Sequence, residues 1–269
     1  MAHLQGFGSL EGVIRTKGEM YDYLRTTPRR TIFLNSDNHH LCAIAEGLEA
    51  VTYGQAEEAD ICGKLIDCAP YLRFQWRKRG GEWHEVSTQL IGSYNIDNAL
   101  CAVAVGTYFG VAEQEISAAL SEYAPTNNRS QLTKTEHNTL VVDAYNANPT
   151  SMRAAIDNFA LMDVSHKMLI LGDMKELGEG SVDEHRKIVS FLEGCGFERI
   201  ILVGDEFGKA NTGFEWYKNT DDLKTKISEE KISGKNMDRP EFKRMMDYLR
   251  EGDILYIESI SRLSRSVKD

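Results

Sequence analysis

The sequence has few cysteines, no long apolar run and no excess of basic charge, and each shortage argues against a class of protein. Its five cysteines are odd in number and form no CxxC pair, so a disulfide framework or a zinc site is not expected. The most apolar run, "NALCAVAVG", is far too short to span a bilayer. The first residues, "MAHLQGFGSLEG", lack the basic and apolar regions of a signal peptide. We therefore expect a soluble, cytoplasmic protein without membrane contact.

The net charge of −10 gives the chain no overall basic surface for nucleic acid. The charge is unevenly distributed along the chain. Residues 229–269 hold 9 basic and 9 acidic side chains, whereas residues 1–228 hold 22 basic and 32 acidic ones. This shift in composition favours a boundary near residue 228. A chain of 269 residues is also long enough for two compact domains.

The first part of the chain predicts short strands followed by two helices. "TIFLN" (31–35) is typical of a strand, and "YLRFQWRKRGGEWHEVSTQLIG" predicts an antiparallel hairpin that turns at Gly80-Gly81. Apolar spacing predicts one helix from about Asn95 to Phe109 and another from about Glu113 to Tyr123. "APTNNRS" then resembles a linker.

Beyond the linker the pattern changes to alternating strands and helices. "TLVVD" (139–143), "KMLILGD" (167–173) and "RIILVGD" (199–205) are apolar runs that each end in Asp. Helical spacing lies between them, and Ser181 with Glu184 has the pattern of a capping box. This alternation predicts a parallel, doubly wound sheet with Asp143 and Asp173 at its ligand-binding edge. An Asp after a strand can equally be a turn residue or a cap.

Candidate functional residues occur in four clusters, and each has an ordinary structural explanation as well. His3 and Lys17, set 14 residues apart, could be plain surface residues. Asn95 and Asn98, where a helix begins, could bind a nucleotide or cap the helix. Arg129 could clamp a phosphate or be solvated.

The fourth cluster is "VVDAYNANPTSM", a strand end followed by a polar loop. Pro149 and Thr150 favour the start of a helix there. Asp143, Asn146 and Asn148 have no evident packing role, so they are candidates for ligand contacts.

Together and in this order, these motifs resemble the Mur ligases. The similar stretches are "AHLQGFGSLEGV…KGE", "N-S-D-N", "GSYNIDNALCAVAVG", "NNRSQ", "VDAYNANPTSM" and "LGDMKELGEGSVDEH", which cover about residues 2–225. The resemblance implies an α/β protein. Residues 1–125 would be the rear part of the central ATP-binding domain, and residues 126–228 an incomplete Rossmann-like, doubly wound C-terminal domain.

The resemblance also implies roles in binding ATP and Mg²⁺. His3 matches a magnesium-site histidine, and Lys17 matches a catalytic lysine whose carbamate offers the oxygen ligand that hard cations prefer. Asn95 and Asn98 match asparagines that contact the nucleotide.

Four residues of the later part carry implied catalytic and substrate roles. Arg129 and Asp143 match residues that close over ATP and assist catalysis, and Asn146 with Asn148 would contact substrate. In the family, ATP phosphorylates a carboxylate of the UDP-N-acetylmuramoyl-tripeptide, and the amine of D-alanyl-D-alanine attacks the acyl phosphate. Mg²⁺, Lys and Arg offset the negative charge.

A P-loop and a late Lys-Gly-Ser-Arg segment, both features of the family, are missing from the sequence. No G-x-x-x-x-G-K-[ST] motif occurs, so no P-loop cradles the β- and γ-phosphates. We therefore expect this chain by itself to have negligible ligase activity, and a non-catalytic nucleotide-binding module is an alternative.

Residues 229–269 predict a short strand–helix–strand tail that resembles a different family, the serine recombinases. "SGKNMDRPEF", "LREGDILYI" and "SRLSRS" carry this resemblance. It implies that Arg239, Arg262 and Arg265 grip a DNA phosphate, a role suited to guanidinium geometry. DNA would be a partner only if this tail functions. The stretch is expected to replace the ligase ending and to pack least well against the rest.

Overall fold

The computed structural model describes residues 7–28, 30–125, 131–134, 139–143, 147–164, 166–232 and 254–258. The chain forms two compact units. The first unit comprises residues 3–124, and the second comprises residues 125–269 with residues 1–2. Among the described residues, no helix combines the length and apolar character needed to cross a membrane.

The first unit has a five-stranded mixed sheet with helices. Its elements are α1 (Leu10–Thr26), β1 (Ile32–Asn35), α2 (His39–Ile44), β2 (Ala50–Gly54), β3 (Ile61–Cys68), β4 (Tyr71–Lys78), β5 (His84–Ile91), α3 (Asn95–Tyr108) and α4 (Glu113–Glu122). The strand order is β1-β2-β3-β4-β5. β1, β2 and β3 run parallel, while β3, β4 and β5 run antiparallel. The predicted strand at 31–35, the hairpin and the two later helices are confirmed.

The core of the first unit lies between its sheet and α3. Alternate residues of β4 point inward, and Leu72, Phe74 and Trp76 are fully buried. They pack in one cluster with Leu100 and other residues of α3. Gly63 of β3 permits the close packing, because a Cβ there would lie 2.4 Å from a methyl of Leu100. The period-2 pattern of β4 therefore fixes which face of the sheet receives the helix.

The second unit has a six-stranded sheet that is parallel except at one edge. Its elements are β6 (Gln131–Lys134), β7 (Thr139–Asp143), α5 (Pro149–Leu161), β8 (Lys167–Gly172), α6 (Ser181–Leu192), β9 (Arg199–Val203), α7 (Asp205–Ala210), β10 (Glu215–Tyr217), α8 (Thr220–Ile232) and β11 (Ile254–Glu258). The strand order is β10-β9-β8-β11-β7-β6, and only β6 pairs antiparallel among these strands. The predicted doubly wound, parallel arrangement is confirmed.

The inner strands of the second unit are buried on both faces. Leu169, Ile170 and Leu171 of β8 are at most 1% exposed, which suits a parallel strand covered by helices on both sides. From α5, Met152 and Phe159 are fully buried. Continuous apolar runs, rather than alternation, are therefore the signal that predicted these strands.

The tail strand occupies a different place from the one expected. β11 lies between β7 and β8 and pairs with both in parallel, with Ile254 opposite Thr139 and Lys167. The expectation that this stretch packs least well is thus wrong for Ile254–Glu258. The run "ILYIE" is apolar enough for a strand that has neighbours on both edges. The predicted tail helix and Arg239, Arg262 and Arg265 lie outside the described residues.

The predicted capping box at Ser181 is also wrong. α6 begins at Ser181 itself, and Gly180 precedes it without a side-chain cap. Glu184 instead forms an ion pair with Lys187, its Oε1 lying 2.6 Å from Nζ. A short 3₁₀ turn (Gly178–Gly180) leads directly into α6, so no residue takes the extended N-cap conformation that the box requires.

Candidate nucleotide and substrate site

Polar residues gather at the carboxyl ends of β1 and β2 in the first unit. Asn35 ends β1, and its side chain hydrogen-bonds Asp97 in the first turn of α3. Asp37 follows β1 and accepts the backbone N–H of Gln55 at 2.7 Å. Strand ends and a helix start thus meet at one edge, where parallel sheets commonly bind ligands.

The candidate nucleotide residues Asn95 and Asn98 lie at this helix start, one turn apart. The Nδ2 of Asn95 donates to the carbonyl of Ile91 at 2.8 Å. The Nδ2 of Asn98 donates to the Oδ1 of Asn95 at 3.0 Å, and Asn98 is exposed. The amide pair is therefore anchored to the backbone at one end and faces solvent at the other. Tyr94, not Asn95, occupies the N-cap position and makes no side-chain cap bond.

Two carboxylates beside this amide pair repel each other. Burial, together with the charge of Asp37, raises the pKa of Asp97 above its ordinary range, while the hydrogen bond from Asn35 acts in the opposite direction. Gly54 allows the strands to close on these groups, because a Cβ there would lie 2.8 Å from the Oδ2 of Asp37. Asp37 and Asp97 had no predicted role, although "N-S-D-N" was among the stretches that carried the family resemblance.

The structure does not assemble a magnesium site from the described residues. Lys17 lies on α1 and is exposed, and its amine is not itself an oxygen ligand. His3 lies outside the described residues. Within the described parts of the chain, no three His, Cys, Asp or Glu side chains are grouped as metal ligands would be.

In the second unit, two predicted site residues border the loop between β7 and α5. Asp143 is the last residue of β7, opposite Glu258 of β11, so it lies at the carboxyl edge as predicted. Asn148 is the N-cap of α5, where its Oδ1 accepts the N–H groups of Thr150 and Ser151 at 3.1 and 3.0 Å. Asn148 therefore has a structural role that the sequence did not reveal. Arg129 and Asn146 lie outside the described residues.

A second group of side chains lies where β8 and β9 end. The Asp173 carboxylate is buried and accepts the N–H groups of Glu206 and Phe207 at 3.1 and 2.9 Å, which caps α7. Lys175 lies 3.5 Å from the same carboxylate. A glycine is required at position 204, because φ there is +123° and a Cβ would lie 2.2 Å from the carboxyl carbon of Asp173.

His185 of α6 completes this group and is fully buried. Its Nε2 accepts the N–H of Met174 at 3.0 Å, and its Nδ1 lies 2.7 Å from the carbonyl of Ser181. The ring must therefore be neutral with its proton on Nδ1. Burial lowers the pKa of His185, which favours the same neutral form.

The side chains of Ser181, His185 and Asp173 do not form a catalytic triad. The Ser181 hydroxyl is 3.5 Å from Nδ1, and Asp173 is 3.8 Å from Nε2. Both ring nitrogens already bond to backbone groups, so His185 has no free lone pair to activate a nucleophile. The group is a structural brace at the ligand edge. The sequence had placed Asp173 at the ligand-binding edge and Ser181 in a predicted capping box, but His185 in the "LGDMKELGEGSVDEH" stretch was not singled out.

Family profiles match nearly the whole chain. The profile described as "Mur ligase middle domain" matches residues 1–106, and "Mur ligase, glutamate ligase domain" matches residues 128–257. The chain belongs to the Mur ligase family. The second match ends at residue 257, so it includes all of the tail strand β11 except its last residue. The comparisons give no support to the serine recombinase resemblance.

Curated relatives and solved structures agree with this family. A UDP-N-acetylmuramoyl-tripeptide–D-alanyl-D-alanine ligase of Haemophilus influenzae is 31% identical over 207 residues, which cover 76% of this chain and 44% of the relative. The Escherichia coli ligase of the same name is also 31% identical, covering 76% of this chain and 46% of the relative. The chain thus spans about half the length of the curated relatives that it matches.

Solved structures show the same fold. A MurF structure from Acinetobacter baumannii has a TM-score of 0.75 at 22% identity, covering 96% of this chain and 54% of that one. MurF of Thermotoga maritima in complex with ADP also has a TM-score of 0.75, at 18% identity, covering 97% of this chain and 58% of that one. These similarities show that the chain has the fold of the middle and C-terminal domains of Mur ligases.

Proposed function

We propose that this Mur ligase chain is the nucleotide- and acceptor-binding part of a cytoplasmic, ATP-dependent ligase that joins D-alanyl-D-alanine to UDP-N-acetylmuramoyl-tripeptide. The observation that carries the proposal is the 31% identity to ligases with that name. The amide pair at the start of α3 adds physical support, because its exposed end can hydrogen-bond a nucleotide base.

The residues of this chain would bind and orient rather than supply a nucleophile. Asn95 and Asn98 would contact the nucleotide from the first unit. Arg129 and Asp143 would contact ATP, and Asn146 and Asn148 would contact substrate. The reaction needs charge compensation and orientation of the acyl phosphate and amine, which such polar groups provide.

Mg²⁺ is proposed on the family resemblance alone, through His3 and a carbamylated Lys17.

Nucleotide binding tests the proposal directly. Calorimetric titration of the purified chain with ATP is expected to show weak, millimolar binding, because the sequence contains no P-loop motif. Asn98→Ala should abolish this binding without changing the fold. Gln89→Ala, an exposed amide on β5, serves as the matched control and should bind as the unmodified chain does.

Two results would contradict the proposal. One is the absence of heat with millimolar ATP, with and without Mg²⁺. The other is equal binding by the Asn98→Ala variant and the unmodified chain. A ligase assay of this chain by itself, with both substrates and ATP, is expected to release negligible phosphate for the same reason of the absent motif.

A further inference from the structure

Most side chains of the segment that follows β8 are buried, although the segment lies outside the helices and strands. We call residues 173–177 the 173–177 loop. Three of its side chains are buried, namely Asp173, Met174 and Leu177, at 5%, 1% and 6% exposure. Lys175 and Glu176 between them are exposed. The loop therefore presents two adjacent side chains of opposite charge to solvent, on a buried base.

The backbone of this loop is also strained. Glu176 has φ of +64°, a left-handed conformation that is unfavourable for a residue with a Cβ. Such outliers cost free energy and persist only where the surroundings enforce them, which they do most often at functional sites. The position of the loop at the carboxyl end of β8 matches the edge where ligands of parallel sheets bind.

Two anchors enforce the conformation. The Asp173 carboxylate links the start of the loop to the first turn of α7, and the backbone N–H of Asp173 donates to Val203 at 3.0 Å. The second anchor is His185, whose Nε2 accepts the N–H of Met174. The first anchor accepts hydrogen bonds through a carboxylate, whereas the second depends on an unprotonated nitrogen.

We propose that His185 is a positioning residue that locks the 173–177 loop through the Met174 N–H, and that protonation of its Nε2 releases the loop. A protonated Nε2 becomes a donor and cannot accept from Met174. The inference concerns the loop itself, so it holds whether or not the proposed ligase function is correct. If the proposed ligase function is correct, the Met174–His185 hydrogen bond fixes Lys175 and Glu176 at the sheet edge where a ligase substrate would bind.

Burial sets the direction of the pH effect at His185, against most of the charged groups around it. Asp173 and Glu206 favour the imidazolium, as does the carbonyl of Ser181, whereas Lys175 disfavours it. Burial outweighs them and lowers the pKa of His185 below its ordinary value of 6.5. A lowered folded-state pKa means that the lock is complete above pH 6.5. It is lost as the pH falls through the lowered value.

Two substitutions distinguish the role of Nε2 from that of Nδ1 in His185. In His185→Gln, the side-chain oxygen can take the place of Nε2 and still accept from Met174, but it does not titrate. In His185→Asn, the side-chain amide can still donate to the carbonyl of Ser181 in place of Nδ1, but nothing reaches Met174. The pair is therefore matched, with only one variant keeping the proposed lock.

The measurement is amide hydrogen exchange of the whole chain, expressed as protection factors at pH values from 7.5 to 5. In the unmodified chain, protection of the 173–177 loop should fall, by up to about tenfold, as the pH is lowered below the ordinary histidine pKa of 6.5, since one buried hydrogen bond is broken. His185→Gln should keep the protection at every pH. His185→Asn should show about tenfold lower protection already at pH 7.5. The strands β8 and β9 should stay protected in all three proteins.

Three outcomes would overturn the inference. Loop protection that does not change with pH in the unmodified chain would do so, and so would equal protection in the Asn and unmodified proteins. Loss of protection throughout β8 and β9 in both variants would show that His185 supports the fold rather than positioning the loop. Nucleotide and acceptor binding play no part in this measurement, so a failure of the proposed function would appear separately.

Discussion

Each unit of the molecule places an aspartate beside the start of a helix, yet the two carboxylates have opposite energetic effects. Asp97 in the first unit lies near Asp37, and burial and repulsion together disfavour its charge. Asp173 in the second unit is more deeply buried, but two backbone N–H groups and Lys175 surround it. The partners of a buried charge, rather than its depth, therefore decide whether it stabilises the fold.

The same contrast separates the two candidate sites. In the first unit, polar groups at the sheet edge are partly exposed and held by one another, as in the Asn95–Asn98 pair. In the second unit, the groups at the edge are buried and support a loop from beneath. Substitutions in the first site should therefore alter ligand binding more than stability, and those in the second should do the reverse.

The largest expected effect is the loss of the Asp173 carboxylate. Asp173→Ala leaves one buried and one half-buried N–H group of α7 without an acceptor, so the free energy of unfolding of the second unit should fall by about 2–4 kcal/mol. Hydrogen exchange of β8 and β9 measures this change. Asp163→Ala, an exposed acid in the same unit, is the control and should be neutral. A change below about 1 kcal/mol for Asp173→Ala would remove the basis of the comparison.

A smaller effect is expected for the cap of α5. Asn148→Ala should destabilise the second unit by about 1 kcal/mol, because two N–H groups of the first turn lose their acceptor. Asn148→Asp keeps the accepting oxygen and should be nearly as stable as the unmodified chain. Urea unfolding of the three proteins checks this order. Equal stability of the Ala variant would mean that the side chain serves a ligand rather than the helix.

The smallest expected effect is at Asp97, where a substitution should raise stability rather than lower it. Because the folded-state pKa of Asp97 is raised, the ionised form weakens the first unit, and stability falls as the pH rises through the range above the ordinary Asp value. Asp97→Asn should therefore stabilise the first unit at pH 7 by less than about 1 kcal/mol and flatten this pH dependence. Thermal unfolding at pH 4 and 7 measures it, with Glu122→Gln as an exposed control. Destabilisation at pH 7 would show that the charge of Asp97 is needed for the fold.

Much of the fold could be predicted from local patterns. The hairpin of β4 and β5 followed from alternation and the Gly80-Gly81 turn, and the strands β7, β8 and β9 followed from short apolar runs. These signals are local, because burial on one or both faces leaves its period in the sequence. The predicted capping box at Ser181 was wrong, because the local pattern did not show the backbone conformation before the helix. A 3₁₀ turn before α6 removed the extended cap residue that the pattern presupposes.

The site was predicted only in part. The motif resemblance named Asn95 and Asn98 as nucleotide-binding candidates, a role that stays a prediction, and the structure joins them by a hydrogen bond at the start of α3. It did not identify His185, because a histidine on a helix carries no sign of the backbone group that it will meet. Nor did it reveal that Asn148 caps α5, since an Asn before Pro149 suits a cap and a ligand contact alike.

The sequence by itself determined the family, the alternation of strands and helices, and the types of polar residue available at each strand end. Those properties depend on residues close together in the chain. Only the tertiary structure decided that β11 lies between β7 and β8, although more than 80 residues separate it from either strand in the sequence. It alone also decided that Asp97 meets repulsion while Asp173 meets donors. Long-range pairing and burial set those outcomes, because a charge is stabilised by the groups that the fold brings to it.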